Sequence, residues 1–126
     1  MEKLGKTYQD EITGMEKKVE ATQKKYIAES YFSIGLIYMY QSNFPKALEN
    51  NIEALKIYKE IGDKHGMAGC YHHFGSIYYD QGNWADALKN YLASLKISEE
   101  EGYRYKIALS KTAIGNIYFH QGNYED

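Results

Sequence analysis

Cysteine and proline are nearly absent from this sequence: among 126 residues there is one of each, Cys70 and Pro45. No internal disulfide can form, which excludes a bridged scaffold and suits a reducing, cytoplasmic compartment. Long apolar runs are missing as well, since none approaches the ~20 residues that a membrane-spanning helix needs. The first residues, Met1-Glu2-Lys3-Leu4-Gly5, lack the apolar stretch of a secretory signal. Nor is there an excess of one charge, because 15 basic and 17 acidic residues leave a formal net charge of -2. Such a balance offers no basic field to a phosphate backbone or an anionic bilayer, so neither nucleic acid nor membrane is an expected partner.

Tyrosine is abundant by contrast, with 14 residues. In a proline-poor chain of single-domain length, so many amphipathic rings point to helices packed through aromatic wedges. Their placement follows a period. Gly35-Leu36-Ile37-Tyr38 returns as Gly75-Ser76-Ile77-Tyr78 and again as Gly115-Asn116-Ile117-Tyr118, in steps of 75 − 35 = 40 and 115 − 75 = 40 residues. Behind each block comes Gln41-Ser42-Asn43-Phe44, Gln81-Gly82-Asn83-Trp84 or Gln121-Gly122-Asn123-Tyr124, and Ala47, Leu48 and Leu55 recur as Ala87, Leu88 and Leu95.

Inside each unit the apolar residues fall at helical spacing, Tyr31, Ile34 and Tyr38 in one stretch and Phe44, Leu48, Ile52 and Leu55 in the next. Each unit therefore reads as two helices. Ser42 or Gly82 can end the first with a positive φ, and Asn43 or Asn83 can cap the second, where Pro45 fits the first turn. Gly62 and Gly102 close the second helix, with Asp63 capping the one that follows. Gly35, Gly75 and Gly115 lie within helices, where glycine costs about 1 kcal/mol relative to alanine. Their common phase suggests that two helices approach closely there, with a neighbouring ring filling the space and Ala47 or Ala87 as the small residue opposite.

Tyr31-x-x-Ile34-Gly35-x-x-Tyr38 and Tyr71-x-x-Phe74-Gly75-x-x-Tyr78, each followed by Ala47 or Ala87, resemble the tetratricopeptide repeat signature. The unit is six residues longer than the usual 34, and the usual closing proline is replaced near Lys59 and Glu99, so the chain looks like the longer-unit members. The resemblance implies an all-α fold: an α-solenoid of antiparallel helix pairs wound into a right-handed superhelix, with about six helices in one domain. Repeat 1 would span 25–64, repeat 2 65–104 and a truncated repeat 3 105–126. Upstream, Leu4, Tyr8, Ile12 and Met15 match Phe44, Leu48, Ile52 and Leu55 at minus 40, and Gly14 matches Ala54, so residues 3–24 read as a degenerate second helix or a linker helix. The chain stops at Tyr124-Glu125-Asp126, where another helix is due, and looks like a piece of a longer protein.

In this family the first helix of each pair lines the concave face. Phasing on the glycines places Glu29, Phe32, Ser33, Leu36, Met39 and Tyr40 there, then His72, His73, Ser76, Tyr79 and Asp80, then Leu109, Thr112, Ala113, Asn116, Phe119 and His120. Such a lining, aromatic and short-polar, suits a peptide held by apolar anchors, with Ser76, Asn116 and the histidines ready to hydrogen-bond its backbone. Some members of the family clamp a partner's C-terminal carboxylates with lysine, arginine and asparagine. Here the corresponding positions are Phe32, Leu36, His73, Leu109 and Ala113, none of the required type, and that recognition is excluded for these helices.

Catalysis finds no support. His72 and His73 are adjacent on a helix and point about 100° apart, so they cannot readily share a metal, and the paired ligand motifs of a zinc site are missing. Cys70 reads as a core residue between Ala68 and Phe74. No glycine-rich phosphate loop follows a strand, and Glu99-Glu100-Glu101 and Lys17-Lys18 are solvated faces near helix ends. The sequence thus describes a non-enzymatic module without cofactor or metal that binds a protein or peptide as part of a larger signalling or assembly protein. A competing reading is self-assembly into homo-oligomers, through the bare apolar side of Ile114, Ile117 and Tyr118 or through exchanged terminal helices.

Overall fold

A computed structural model describes residues 2–122. Five helices follow one another: α1 (Glu2–Tyr40), α2 (Phe44–Ile61), α3 (Lys64–Asp80), α4 (Trp84–Glu101) and α5 (Arg104–His120), with no strand among the described residues. Asn123 and the helix due near Tyr124 lie outside them, as does the side chain of Leu4.

The punctuation works as its chemistry dictates. Ser42 and Gly82 take φ of 59° and 76°, and Gly62 and Gly102 take 71° and 74°, so the chain leaves each helix through the left-handed region and reverses at once. Asn43 Oδ1 accepts from the Lys46 amide, Asn83 Oδ1 from that of Asp86, and Asp63 Oδ1 from that of Gly66 at 3.0 Å. These caps satisfy amides that the helices leave unpaired. Connections this short force consecutive helices to lie antiparallel, and the result is an α-solenoid in which α1 packs on α2, α2 on α3, α3 on α4 and α4 on α5.

One expectation needs correction. Residues 3–24 form no separate helix, because α1 runs unbroken for 39 residues through the point where a turn was due. Thr22 and Gln23 stand at the positions of Gly62 and Asp63, so this stretch has neither the residue that reverses the chain nor the one that caps the next helix. The helix count among the described residues is therefore five.

Close packing rests on small residues. Ala28, Ala47, Ala54, Ala68 and Ala87 are fully buried between helices, with Cys70 and Tyr58 in one cluster and Tyr91 and Ile117 in the other. Buried polar groups tie successive helices: Asn51 Nδ2 donates to the Cys70 carbonyl at 2.9 Å, Ser94 Oγ to the Ala68 carbonyl at 2.9 Å, and Ser110 Oγ to Ser94 Oγ at 3.5 Å.

The three in-phase glycines differ in what they meet. A Cβ on Gly75 would stand 2.6 Å from the Tyr91 ring, and one on Gly35 would stand 3.3 Å from the Ala47 carbonyl oxygen. A ring thus fills the space at Gly75, and the α2 backbone with the Asn50 Cβ does so at Gly35, while none of the described residues lies within 4 Å of the Cβ direction at Gly115. Two substitutions separate these environments. Gly75→Ala is expected to destabilise by about 1–3 kcal/mol through overpacking. Gly115→Ala is expected to stabilise by roughly 0.5–1 kcal/mol, because only helix propensity changes there. Urea denaturation of both variants checks the pair, and equal effects would show that the close approach at Gly75 is misread.

Candidate functional site

The first helices, α1, α3 and α5, face one side of the solenoid, and a hollow of about 110 Å³ opens where they meet. Phe32 of α1, Gly69 and His72 of α3, Ser94 of α4, and Lys106 and Leu109 of α5 line it. A second hollow of about 440 Å³ shares Lys106 and Leu109 and continues along His65, Tyr103, Arg104 and Tyr105. The two form one trough whose wall is aromatic at Phe32 and basic at Lys106 and Arg104, with no acidic side chain in either lining.

Each lining residue is placed by packing. The Phe32 ring lies 4.7 Å from that of His73. His72 sits 5.1 Å from Tyr91, and the edge of His65 meets Tyr103 at 5.2 Å. Gly69 keeps the floor open, since a Cβ there would meet Lys106 Nζ at 3.6 Å and the Phe32 ring at 3.8 Å. Ser94 spends its hydroxyl on the Ala68 carbonyl, which leaves His72 and Lys106 as the polar groups free to meet a ligand.

Lys106 dominates the electrostatics. It is half-buried, and its amine makes no ion pair or hydrogen bond among the described residues. Burial holds its pKa below the ordinary 10.5, against the opposing pull of Cys70 and Asp63. His72 and His65 are both held below 6.5, first by burial and then by the neighbouring Lys106 charge, with Asp63 working the other way on His65. A cation partly stripped of water and given no counter-ion attracts an anion.

A model of the tetratricopeptide repeat family matches residues 26–100 and again 67–126. The chain belongs to the tetratricopeptide repeat (TPR) family. The crystal structure of the TPR domain of Arabidopsis FLU is similar, with a TM-score of 0.75 and 22% identity over 81% of this chain and 86% of that one. At that identity the likeness bears on the fold alone. No curated protein matches the sequence. TPR domains are generally non-catalytic interaction scaffolds, and no helix of the described residues is long and apolar enough to cross a membrane.

Among the residues that the TPR phasing assigned to the open face, the structure brings Phe32, His72 and Leu109 together at the hollow. Leu36 and Met39 are half-buried beside them on α1, whereas Tyr40 stands exposed at the end of that helix. Ser76 is engaged, 3.0 Å from the Tyr91 hydroxyl. Tyr79 and His120 pair at 5.6 Å, with Trp84 stacked on His120 at 5.5 Å and Phe119 adjoining. Thr112 and Asn116 are exposed on α5. His73 corrects the reading: it is only 3% exposed, pressed on Phe32, and neither ring nitrogen has a hydrogen-bond partner among the described residues, so it packs beneath the trough and does not line it. Lys106 and Gly69 were missed. The signal was available, since Lys106 lies one turn before Leu109 on the same face and the glycine phasing stopped one turn short.

Cys70 offers no nucleophile, because burial pushes its thiol up to about 12. Burial also drives His73 down to about 4 from 6.5, with His72 as a smaller cause. The sign follows from proton counting: between those values the unfolded chain binds a proton that the folded one refuses, so stability falls as pH drops through that window. A shift of this size corresponds to roughly 3 kcal/mol. Urea denaturation of the parent and His73→Leu at about pH 7 and about pH 4.5 is expected to show a smaller acid loss in the variant. Parallel losses would mean that His73 titrates normally.

Proposed function

We propose that this TPR chain is a protein-binding module that holds an extended or helical peptide segment in the trough between α1, α3 and α5, with an acidic side chain of the peptide seated at Lys106. The observation that carries this reading is the pairing of an aromatic wall at Phe32 with an amine at Lys106 that has no counter-ion among the described residues. A carboxylate would supply the missing charge through a charge-assisted hydrogen bond, and an adjoining apolar residue would cover Phe32 and Leu109. Leu36, Met39, Tyr40, Thr112, Asn116, Phe119 and His120 extend the same proposed face toward the C-terminal ends of α1 and α5. Lys106 lies outside the five positions of the family's carboxylate clamp, so the mode of recognition differs from that clamp.

The formal net charge of -2 supports a polypeptide partner over nucleic acid. Unpaired Cys70 fits a cytoplasmic setting, and a role within a larger signalling or assembly protein belongs to the same proposal, on family resemblance. The reading includes no catalytic step and no cofactor.

Panning a random peptide library against the chain is expected to enrich sequences in which Asp or Glu adjoins an apolar residue. Lys106→Met, which keeps the apolar stem, is expected to weaken an enriched peptide by about tenfold, the equivalent of 1.4 kcal/mol. Phe32→Ala is expected to weaken it comparably while circular dichroism stays helical. Peptides without acidic residues, or binding equal in parent and Lys106→Met, would overturn the assignment.

A further inference from the structure

The N-terminal half of α1 carries an apolar stripe that none of the described residues covers. Tyr8, Ile12, Met15 and Val19 are between 48 and 65% exposed. Lys24 reaches Glu60 at 2.7 Å and Lys25 approaches Asp63 at 4.0 Å, so α1 meets the far end of α2 only from about this point onward. At about 1.5 Å per residue, the segment before Lys24 extends roughly 30 Å beyond that contact. A lone helix of such length is marginal in water, and most helical stability comes from burying an apolar face.

The stripe has the form of a seam. Its spacings are 12 − 8 = 4, 15 − 12 = 3 and 19 − 15 = 4, the alternation of positions that face a partner in a two-helix coil. The order 4, 3, 4 reads the same in both directions, so the seam matches itself about a two-fold axis between residues 13 and 14. We propose that a second copy of this chain covers it as an antiparallel helix pair, Ile12 on the partner's Met15 and Tyr8 on the partner's Val19.

The flanking charges choose the direction. In the antiparallel arrangement Glu11 borders the partner's Lys18, twice by symmetry, and Gln9 borders the partner's Glu16. A parallel pair would set Glu11 against the partner's Glu16 on both sides and gain no opposite pair. The two solenoids would then extend from opposite ends of the seam, which leaves both peptide-binding troughs open. This association replaces the bare C-terminal face of the sequence reading with the N-terminal stripe, and it stands independently of the peptide-binding proposal.

Light scattering and sedimentation equilibrium of the full chain test it, up to millimolar concentration. The mass is expected to rise with concentration from 14.6 kDa to twice that value and no further. Met15→Lys changes a side chain that is 65% exposed, so it is expected to hold the chain monomeric while the packing of α2 to α5 stays intact. Glu11→Lys discriminates direction: it places lysine beside the partner's Lys18 in the antiparallel pair and beside the partner's Glu16 in a parallel one. Weakening by severalfold is expected, with recovery in Glu11→Lys/Lys18→Glu. A parent monomeric at every concentration, a dimer untouched by Met15→Lys, or a dimer strengthened by Glu11→Lys would overturn the proposal.

Discussion

Close approach of helices through small residues underlies the rest of this structure. Ala47 and Ala54 on α2, Ala68 on α3 and Ala87 on α4 are fully buried, and the Tyr91 ring occupies the space where Gly75 has no side chain. Backbones brought this near leave no volume for irregular loops between them, so the connections shrink to two or three residues and each reversal passes through Ser42 or a glycine of positive φ. The same proximity lets Asn51 Nδ2, Ser94 and Ser110 reach across from one helix to another and find hydrogen-bond partners at fully buried positions.

The trough is a consequence of that order. Among the first helices, α1 touches α3 and α3 touches α5, and these contacts are confined to a few points. Gly69 opposite Phe32 makes one of those points hollow, and Lys106 from α5 enters it without a counter-ion among the described residues. Burial lowers the Lys106 amine and the His72 and His65 imidazoles alike, so the hollow holds one partly desolvated cation beside aromatic rings. That combination is suited to a carboxylate attached to apolar surface.

Where the repeat departs from its own pattern, the structure changes. Thr22-Gln23 in place of Gly62-Asp63 converts a helix pair into the single long α1. Tyr103 in place of Asp63 removes a side-chain cap and sets a ring against His65 instead. Asn51 in place of Tyr91 exchanges a ring for an amide that bonds the Cys70 carbonyl, and Gly35 accordingly packs on backbone where Gly75 packs on a ring. A Tyr58 ring against Gly66 has no counterpart one unit later, where Ser98 and Lys106 stand. These exchanges are visible as letters, yet their outcome depends on which neighbour moves into the vacated volume.

The sequence by itself determined the all-α class, the pairing of helices, their turns and most of their boundaries, because these depend on local chemistry: helical apolar spacing, a positive φ, an amide cap. It also placed Cys70 in the core, and it named Phe32, His72 and Leu109, which line the hollow. Tertiary structure alone decided that His73 lies beneath the trough and that Lys106 projects into a hollow floored by Gly69. Each of these depends on side chains 20 or more residues apart in the chain competing for one volume, and a periodic pattern along one strand of letters carries no record of that competition.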